Sequence, residues 1–91
     1  HRELQEETGY RAKTMAPLTP FFAAPGVSTE VMWPYVAHQL TFVGQDLAAD
    51  EDISVQLLSL VEAERALLNG HIIDGKTIAV LCRYLLGQPS R

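Results

Sequence analysis

The chain has 91 residues, of which 47% are hydrophobic and 20% are charged, a composition typical of a globular protein. No apolar run approaches the roughly 20 residues that a membrane-spanning helix needs. The net charge of −4 and the lack of a dense block of lysine and arginine argue against binding to a nucleic-acid duplex, which requires contacts with several consecutive phosphates.

The single cysteine, Cys82, lies in a helical pattern between Leu81 and Leu85. It cannot form a disulfide within the chain, and a buried thiol in a reducing compartment is the expected state. The sequence does not open with a basic segment followed by an apolar stretch, the pattern typical of secretion signals. We therefore expect a cytoplasmic protein.

The first residues predict a helix that ends early in the chain. Residues 1–8 are strong helix formers, and Gly9 follows at the position where a helix-ending glycine is expected. No N-cap residue precedes Arg2, so we expect the chain to start in the middle of this helix.

A long hairpin is predicted after this helix. Strand-favouring residues run from Tyr10 to Ala24 and from Glu30 to Phe42, and Pro25-Gly26 between them is typical of a turn. Pro34 has no amide hydrogen to donate to a neighbouring strand, which predicts a bulge or a sheet edge near Trp33.

The second half predicts an acidic loop, a short strand and two helices, at residues 44–52, 53–58, 59–70 and 74–87. Ser59 and Glu62 form the pattern of a capping box, and Asp74 is a typical N-cap for the last helix. The order helix, strand, strand, strand, helix, helix indicates an α+β fold.

Three glutamates share one face of the first helix. Glu3, Glu6 and Glu7 have the spacing i, i+3 and i+4, at which like charges destabilise a helix by about 0.2 to 0.5 kcal/mol per pair. The helix dipole adds a cost of roughly 0.3 to 1 kcal/mol for each carboxylate in the last turn. Mg²⁺ or Mn²⁺ would convert this cost into a binding site, because both ions take oxygen ligands. The alternative is a solvated acidic surface.

Residues 2–10, RELQEETGY, resemble the second half of the Nudix box, G-x5-E-x7-R-E-U-x-E-E-x-G-U, where U is a bulky aliphatic residue. Tyr10 departs from the final aliphatic position, and the opening glycine and first glutamate of the box are absent. The matching residues are Arg2, Glu3, Leu4, Glu6, Glu7 and Gly9. The resemblance implies that residues 1–91 are the C-terminal portion of a single Nudix domain. That domain would be an α/β/α sandwich with a mixed β-sheet, whose N-terminal strands would be missing.

The Nudix helix holds divalent cations against a diphosphate, and the resemblance extends this role to the present glutamates. It implies that Glu3, Glu6 and Glu7 bind Mg²⁺ or Mn²⁺ or align an attacking water, and that Arg2 orients them. Glu51 would reach over the metal site from a mobile loop, as a ligand or general base, with its acidic neighbours as substitutes. A solvated loop carboxylate is the alternative for Glu51.

A second segment resembles the ADP-ribose pyrophosphatase branch of the family. Pro25 lies sixteen positions after Gly9, and residues 24–30, APGVSTE, are similar to the substrate loop of that branch. Residues 49–53 and 73–78 also look like this branch, so the resemblance covers nearly the whole chain. It implies that substrate is bound by Pro25, Gly26, Ser28 and Glu30.

The resemblance implies a metal-dependent hydrolase that splits ADP-ribose into AMP and ribose 5-phosphate. GDP-mannose or another nucleotide sugar is the alternative substrate. A different class of function is a truncated, non-catalytic Nudix fragment that acts as an oligomer or binding module. Without earlier strands, sheet edges and apolar side chains would stay open to water, so we expect a homodimer.

Overall fold

The computed structural model describes residues 1–89 and confirms the α+β class, with three helices and two small antiparallel sheets in that range. The elements are α1 (Arg2–Thr8), β1 (Tyr10–Pro17), β2 (Phe21–Phe22), β3 (Val31–Met32), β4 (Tyr35–Phe42), α2 (Leu60–Leu68) and α3 (Gly75–Leu86). The chain divides into two compact units. The first contains residues 1–19 and 33–56, and the second contains residues 20–32 and the described residues from 57 onward.

The first unit consists of α1, the hairpin of β1 and β4, and the loop that follows. The antiparallel register places Tyr10 opposite Phe42, and their rings meet edge to face with centroids 5.4 Å apart. Ala12, two residues further along β1 and opposite Leu40, is buried. Gly9 joins α1 to β1 with φ 81°, and its amide donates to the carbonyl of Gln5 at 2.8 Å. The predicted helix end at Gly9 is confirmed.

The predicted long hairpin is divided into two strand pairs, β1 with β4 in the first unit and β2 with β3 in the second, and Trp33 and Pro34 separate β3 from β4. Pro34 cannot donate a ladder bond, while its carbonyl accepts one from the amide of Leu18 at 2.9 Å. Three residues, 18–20, separate β1 from β2, so the first arm carries one residue more than the second. The break therefore falls where it was predicted, and the extra residue lies on the opposite arm.

Helix α2 of the second unit begins with the predicted capping box. The Ser59 hydroxyl accepts from the amide of Glu62 at 3.1 Å, and the Glu62 carboxylate accepts from the amide of Ser59 at 2.9 Å. The bond from the Ser59 backbone, followed by that from its side chain, lowers the pKa of Glu62. At the other end Gly70 adopts φ 74°, and the amide of His71 donates to the carbonyl of Ala66 at 3.0 Å. This pairing is typical of a helix closed by glycine.

Helix α3 begins at the predicted N-cap, Asp74. One carboxylate oxygen of Asp74 accepts from the Thr77 hydroxyl at 2.6 Å and from the Thr77 amide at 2.9 Å, and these bonds lower the pKa of Asp74. The helix ends at Gly87, as predicted. It packs against α2, and Ala63 and Leu85 are the buried apolar residues of the two helices.

The predicted strand at residues 53–58 is wrong, because this segment forms no ladder within the described residues. Its residues favour strands, but a strand is stable only when a neighbour exchanges backbone hydrogen bonds with it. The carbonyl of Ile53 accepts from the side chain of Gln45 at 2.9 Å instead. The segment therefore connects the acidic loop to α2 without joining a sheet.

Large apolar side chains are widely exposed in the described part of the chain. Among them are Phe22, Trp33 and Tyr35, which are 62%, 66% and 53% exposed, and nothing within residues 1–89 covers these side chains. None of the helices in this range is both long and apolar enough to span a membrane.

Replacing Gly9 by alanine should destabilise the first unit more than the same change at Gly44. Both glycines have positive φ, at which a side chain costs about 1 to 2 kcal/mol. A Cβ at Gly9 would also lie 2.9 Å from the Phe42 ring and 3.1 Å from the backbone of Gly44 and Gln45, whereas Gly44 has open space. We expect Gly9→Ala to lower the free energy of unfolding by about 2 to 4 kcal/mol in urea titrations. Equal decreases in the free energy of unfolding for the two variants would show that the residues around Gly9 can move aside without an energetic penalty.

Candidate functional site

The sequence places Arg2, Glu3, Glu6 and Glu7 on α1, and the structure confirms that this segment is helical. The Arg2 guanidinium lies 3.7 Å from a carboxylate oxygen of Glu6, one helical turn away. Arg2 is 84% exposed in its side chain, so this pair contributes little to stability. Glu3 is exposed, while Glu6 and Glu7 are half-buried.

The carboxyl end of α1 is fastened to the acidic loop. The last carbonyls of a helix have no partner within the helix. Here the Gln45 side chain donates to the carbonyl of Glu7 at 2.8 Å, and the amide of Asp46 donates to the carbonyl of Glu6 at 2.8 Å. Gln45 also donates to Ile53, so one side chain ties both ends of the loop near the glutamate helix. Gln45 could not be identified from the sequence, since a polar residue in a polar loop is no signal by itself.

Glu51 is turned toward its own loop. One carboxylate oxygen accepts from the amide of Ala48 at 2.7 Å, and the Glu51 amide donates to the Ala48 carbonyl at 3.0 Å. Among residues 1–89, no three or more histidine, cysteine, aspartate or glutamate side chains are grouped so that they could hold a metal ion. The structure thus pairs Arg2 with Glu6 but does not gather the glutamates of α1 and Glu51 into one cluster.

The donor chemistry of α1 nevertheless fits a hard divalent cation. Glu3, Glu6 and Glu7 offer carboxylate oxygens and no sulfur or imidazole nitrogen, which is the ligand type of Mg²⁺ and Mn²⁺. All three retain at least partial exposure to solvent, so an ion could reach them. The helix therefore supplies suitable ligands, although its side chains are not arranged around a common point.

A depression of about 390 Å³ lies beside α1 and contains both positive and negative groups. Guanidinium groups suit phosphate, and carboxylates suit a metal ion that accompanies it. Arg11, whose Nε lies 3.4 Å from the side-chain oxygen of Gln5, was not identified from the sequence. The lining residues are His1, Arg2, Gln5, Glu6, Arg11, Ala12 and Asp46.

In the second unit, the predicted substrate loop connects β2 to β3. Gly26 has φ 87°, and the amide of Val27 donates to the carbonyl of Ala24 at 3.1 Å. Proline in the second position and glycine with positive φ in the third are typical of a type II turn. A Cβ at Gly26 would have no heavy atom within 4 Å, so the backbone here is open to a ligand.

Glu30 closes the same loop and is held by three kinds of bond. Its amide donates to the Ser28 hydroxyl at 3.0 Å, and its carbonyl accepts from the amide of Ala23 at 3.1 Å. Both of its carboxylate oxygens lie 3.0 Å from the ammonium group of Lys76 on α3. The four predicted substrate-binding residues thus lie in one short loop. Lys76 is an additional residue at this place that the sequence analysis did not single out.

Curated relatives align along most of the chain, whereas no protein-family model matches it. An ADP-ribose pyrophosphatase of Bacillus subtilis is 34% identical over 86 residues, which are 92% of this chain and 46% of that protein. A methanol dehydrogenase activator of Bacillus methanolicus is 37% identical over 86 residues, with the same two shares. A GDP-mannose pyrophosphatase of Yersinia enterocolitica is 37% identical over 83 residues, 88% of this chain and 44% of that protein.

The chain therefore spans less than half the length of each of these three relatives. Within the chain, residues 2–10 carry the second half of the Nudix box, and all but its last two positions lie on α1. These residues, together with the similarity to pyrophosphatases of the same family, show that the chain belongs to the Nudix hydrolase family.

Proposed function

We propose that this chain is part of a metal-dependent hydrolase that splits ADP-ribose into AMP and ribose 5-phosphate. The observation that carries the proposal is α1, which presents Arg2, Glu3, Glu6 and Glu7 in the Nudix pattern and ends at Gly9. Such a dense acidic face is unfavourable for the helix alone and is suited to binding a cation. The names of the pyrophosphatase relatives support the same reaction class.

In this proposal Glu3, Glu6, Glu7 and Glu51 hold Mg²⁺ or Mn²⁺, and Glu3, Glu7 and Glu51 take part in catalysis. When bound, such an ion neutralises diphosphate charge and lowers the pKa of a coordinated water. Arg2 orients Glu6 through the contact of 3.7 Å between their side chains. Only one oxygen of Glu51 is engaged by Ala48, which leaves the other to act as a ligand or general base.

Neutralising Glu7 should weaken cation binding. We expect Glu7→Gln, and likewise Glu3→Gln, to reduce Mn²⁺ affinity by about tenfold or more, because each removes a charged oxygen ligand. Electron paramagnetic resonance of free Mn²⁺ during a titration measures this directly. Glu64→Gln on α2 is the matched control and should bind as wild type does. Equal affinity in all variants would reject α1 as the metal site.

Substrate recognition is proposed for Pro25, Gly26, Ser28 and Glu30. The turn at Pro25-Gly26 exposes backbone without a side chain, and the Glu30 carboxylate can accept hydrogen bonds from ribose hydroxyls. The spacing of Pro25 from Gly9 supports ADP-ribose. GDP-mannose is the second candidate, and the relative from Yersinia enterocolitica that bears this substrate in its name is the observation that favours it.

The full-length protein should hydrolyse ADP-ribose with a kcat/KM roughly tenfold higher than that for GDP-mannose. A tenfold ratio requires a difference of only about 1.4 kcal/mol between the two transition-state free energies. Initial rates with both substrates in the presence of Mg²⁺ test this, and Glu7→Gln serves as the inactive control. Reversed values would favour GDP-mannose. Wild-type protein without activity on either substrate would favour the non-catalytic alternative.

A homodimer in a reducing cytoplasm is also proposed. Exposed apolar side chains occur in both units, including Phe22, Val27, Trp33 and Leu68, and extended apolar surface usually marks an interface. Closed two-fold dimers are the commonest way to cover such surface. Cys82 is a free thiol, which a reducing compartment preserves.

Light scattering of the protein at micromolar concentration should give the mass of two chains. The mass should stay at this value on dilution through the micromolar range, because the covered surface is apolar and its burial is strongly favourable. Replacing Trp33, which is 66% exposed, by serine should shift the mass toward one chain, and His38→Ser is a matched control at an exposed strand position. A single-chain mass for the wild type would contradict the dimer.

A further inference from the structure

We propose that Lys76 is a positioning residue, which holds the substrate loop, residues 24–30, in place through its ion pair with Glu30. The inference rests on the proposed function, because it assigns Lys76 a role in substrate affinity. Its structural basis is the Lys76 ammonium group, which lies 3.0 Å from both oxygens of the Glu30 carboxylate. The two residues are 46 positions apart in sequence, so local chain geometry does not bring them together.

Lys76 occupies a position that the helix itself disfavours. It is the second residue of α3, whose amino end carries the positive pole of the helix dipole. A lysine here raises the energy of the helix unless an anion lies close to it. Asp74, the N-cap, bonds to Thr77 and also interacts with the charge of Lys76, but only Glu30, from another segment, contacts the ammonium group directly. The tertiary contact with Glu30 therefore adds to the local compensation by Asp74.

A second contact joins the same helix to the same hairpin. The Arg83 guanidinium lies 5.5 Å from the centre of the Phe21 ring, on β2. Arg83 follows Lys76 by seven residues, which places the two side chains on one face of α3. Lys76 therefore holds the end of the substrate loop, and Arg83 holds the strand that leads into it.

These side chains bridge a gap between backbones. In the described part of the chain, no Cα of α3 lies within 8 Å of a Cα of β2 or β3. The loop's own bonds, from Val27 to Ala24 and from Glu30 to Ser28, determine its shape but do not attach it to the helix. Removing Lys76 should therefore leave the turn intact and loosen its attachment, which weakens substrate binding more than it slows the chemical step.

Kinetics of the full-length protein with ADP-ribose test the role of Lys76. We expect Lys76→Met to raise KM by roughly twofold to fivefold, the range of a half-exposed ion pair, while kcat changes by less than about twofold. Lys76→Arg should restore KM, and Lys13→Met, the control at the other lysine of the chain, should have no effect. A KM for Lys76→Met equal to that of Lys13→Met would overturn the proposal.

A double variant separates action through Glu30 from direct contact with substrate. If Lys76 acts through Glu30, then adding Lys76→Met to Glu30→Gln causes no further rise in KM. Effects that multiply would overturn the proposal, since they would mean that Lys76 binds substrate independently.

Hydrogen exchange of the same variants needs no activity. Lys76→Met should speed exchange of the Ala23 amide, which donates to the Glu30 carbonyl, by about twofold to fivefold, and Lys13→Met should not. An unchanged exchange rate in Lys76→Met would overturn the proposal that Lys76 holds the substrate loop, even if the enzyme is active. If the wild-type protein is inactive but loop exchange is faster in Lys76→Met, the role of Lys76 is supported and the proposed hydrolase activity is rejected.

Discussion

The left-handed turn at Gly9 is the constraint on which the first unit depends. With φ 81°, this residue ends α1, and β1 begins at the next residue, Tyr10. Its carbonyl accepts from the amides of Val43 and Gly44 at 2.7 and 3.0 Å, so the same residue anchors the far end of β4. The absence of a Cβ is essential, because the Phe42 ring and neighbouring backbone occupy that space. The glutamate helix, the hairpin and the acidic loop are thereby joined at one glycine.

Polar side chains take over much of the long-range organisation in this chain. Few apolar side chains are buried in the described range, namely those of Ala12, Pro34, Ala63 and Leu85. Gln45 connects the loop to α1, and Lys76 connects the substrate loop to α3. Such bonds are individually weak because they are partly solvated, so the segments they hold can shift when a charged ligand competes for the same groups. This suits segments that, in the proposed function, respond to a diphosphate and a cation.

The acidic face of α1 illustrates a conflict between stability and chemistry. Three carboxylates on one short helix repel one another, and the seven-residue helix has no side-chain cap at its start. Arg2 offsets part of the repulsion by its contact with Glu6. A hard divalent cation would relieve the remaining charge repulsion. For this reason the three glutamates indicate function more clearly than an apolar residue of the same helix does.

Local features of this chain could be predicted from its residues alone: the end of α1 at Gly9, the turn at Pro25-Gly26, and the caps at Ser59 and Asp74. Each depends on the conformational preference of a glycine or proline, or on a hydrogen bond within about four residues, so the pattern is legible in the chain. The family was indicated by the resemblance of residues 2–10 to the Nudix box, and the candidate glutamates by their spacing on one helix.

Three features emerge only from contacts between distant segments: residues 53–58 form no strand, Gln45 binds the acidic loop to α1, and Lys76 contacts Glu30. These outcomes depend on which distant segments supply hydrogen-bond and charge partners, and side-chain identity does not encode that choice locally. A strand-forming segment has the same sequence pattern whether or not another strand pairs with it, and a lysine reads the same whether or not a carboxylate contacts it.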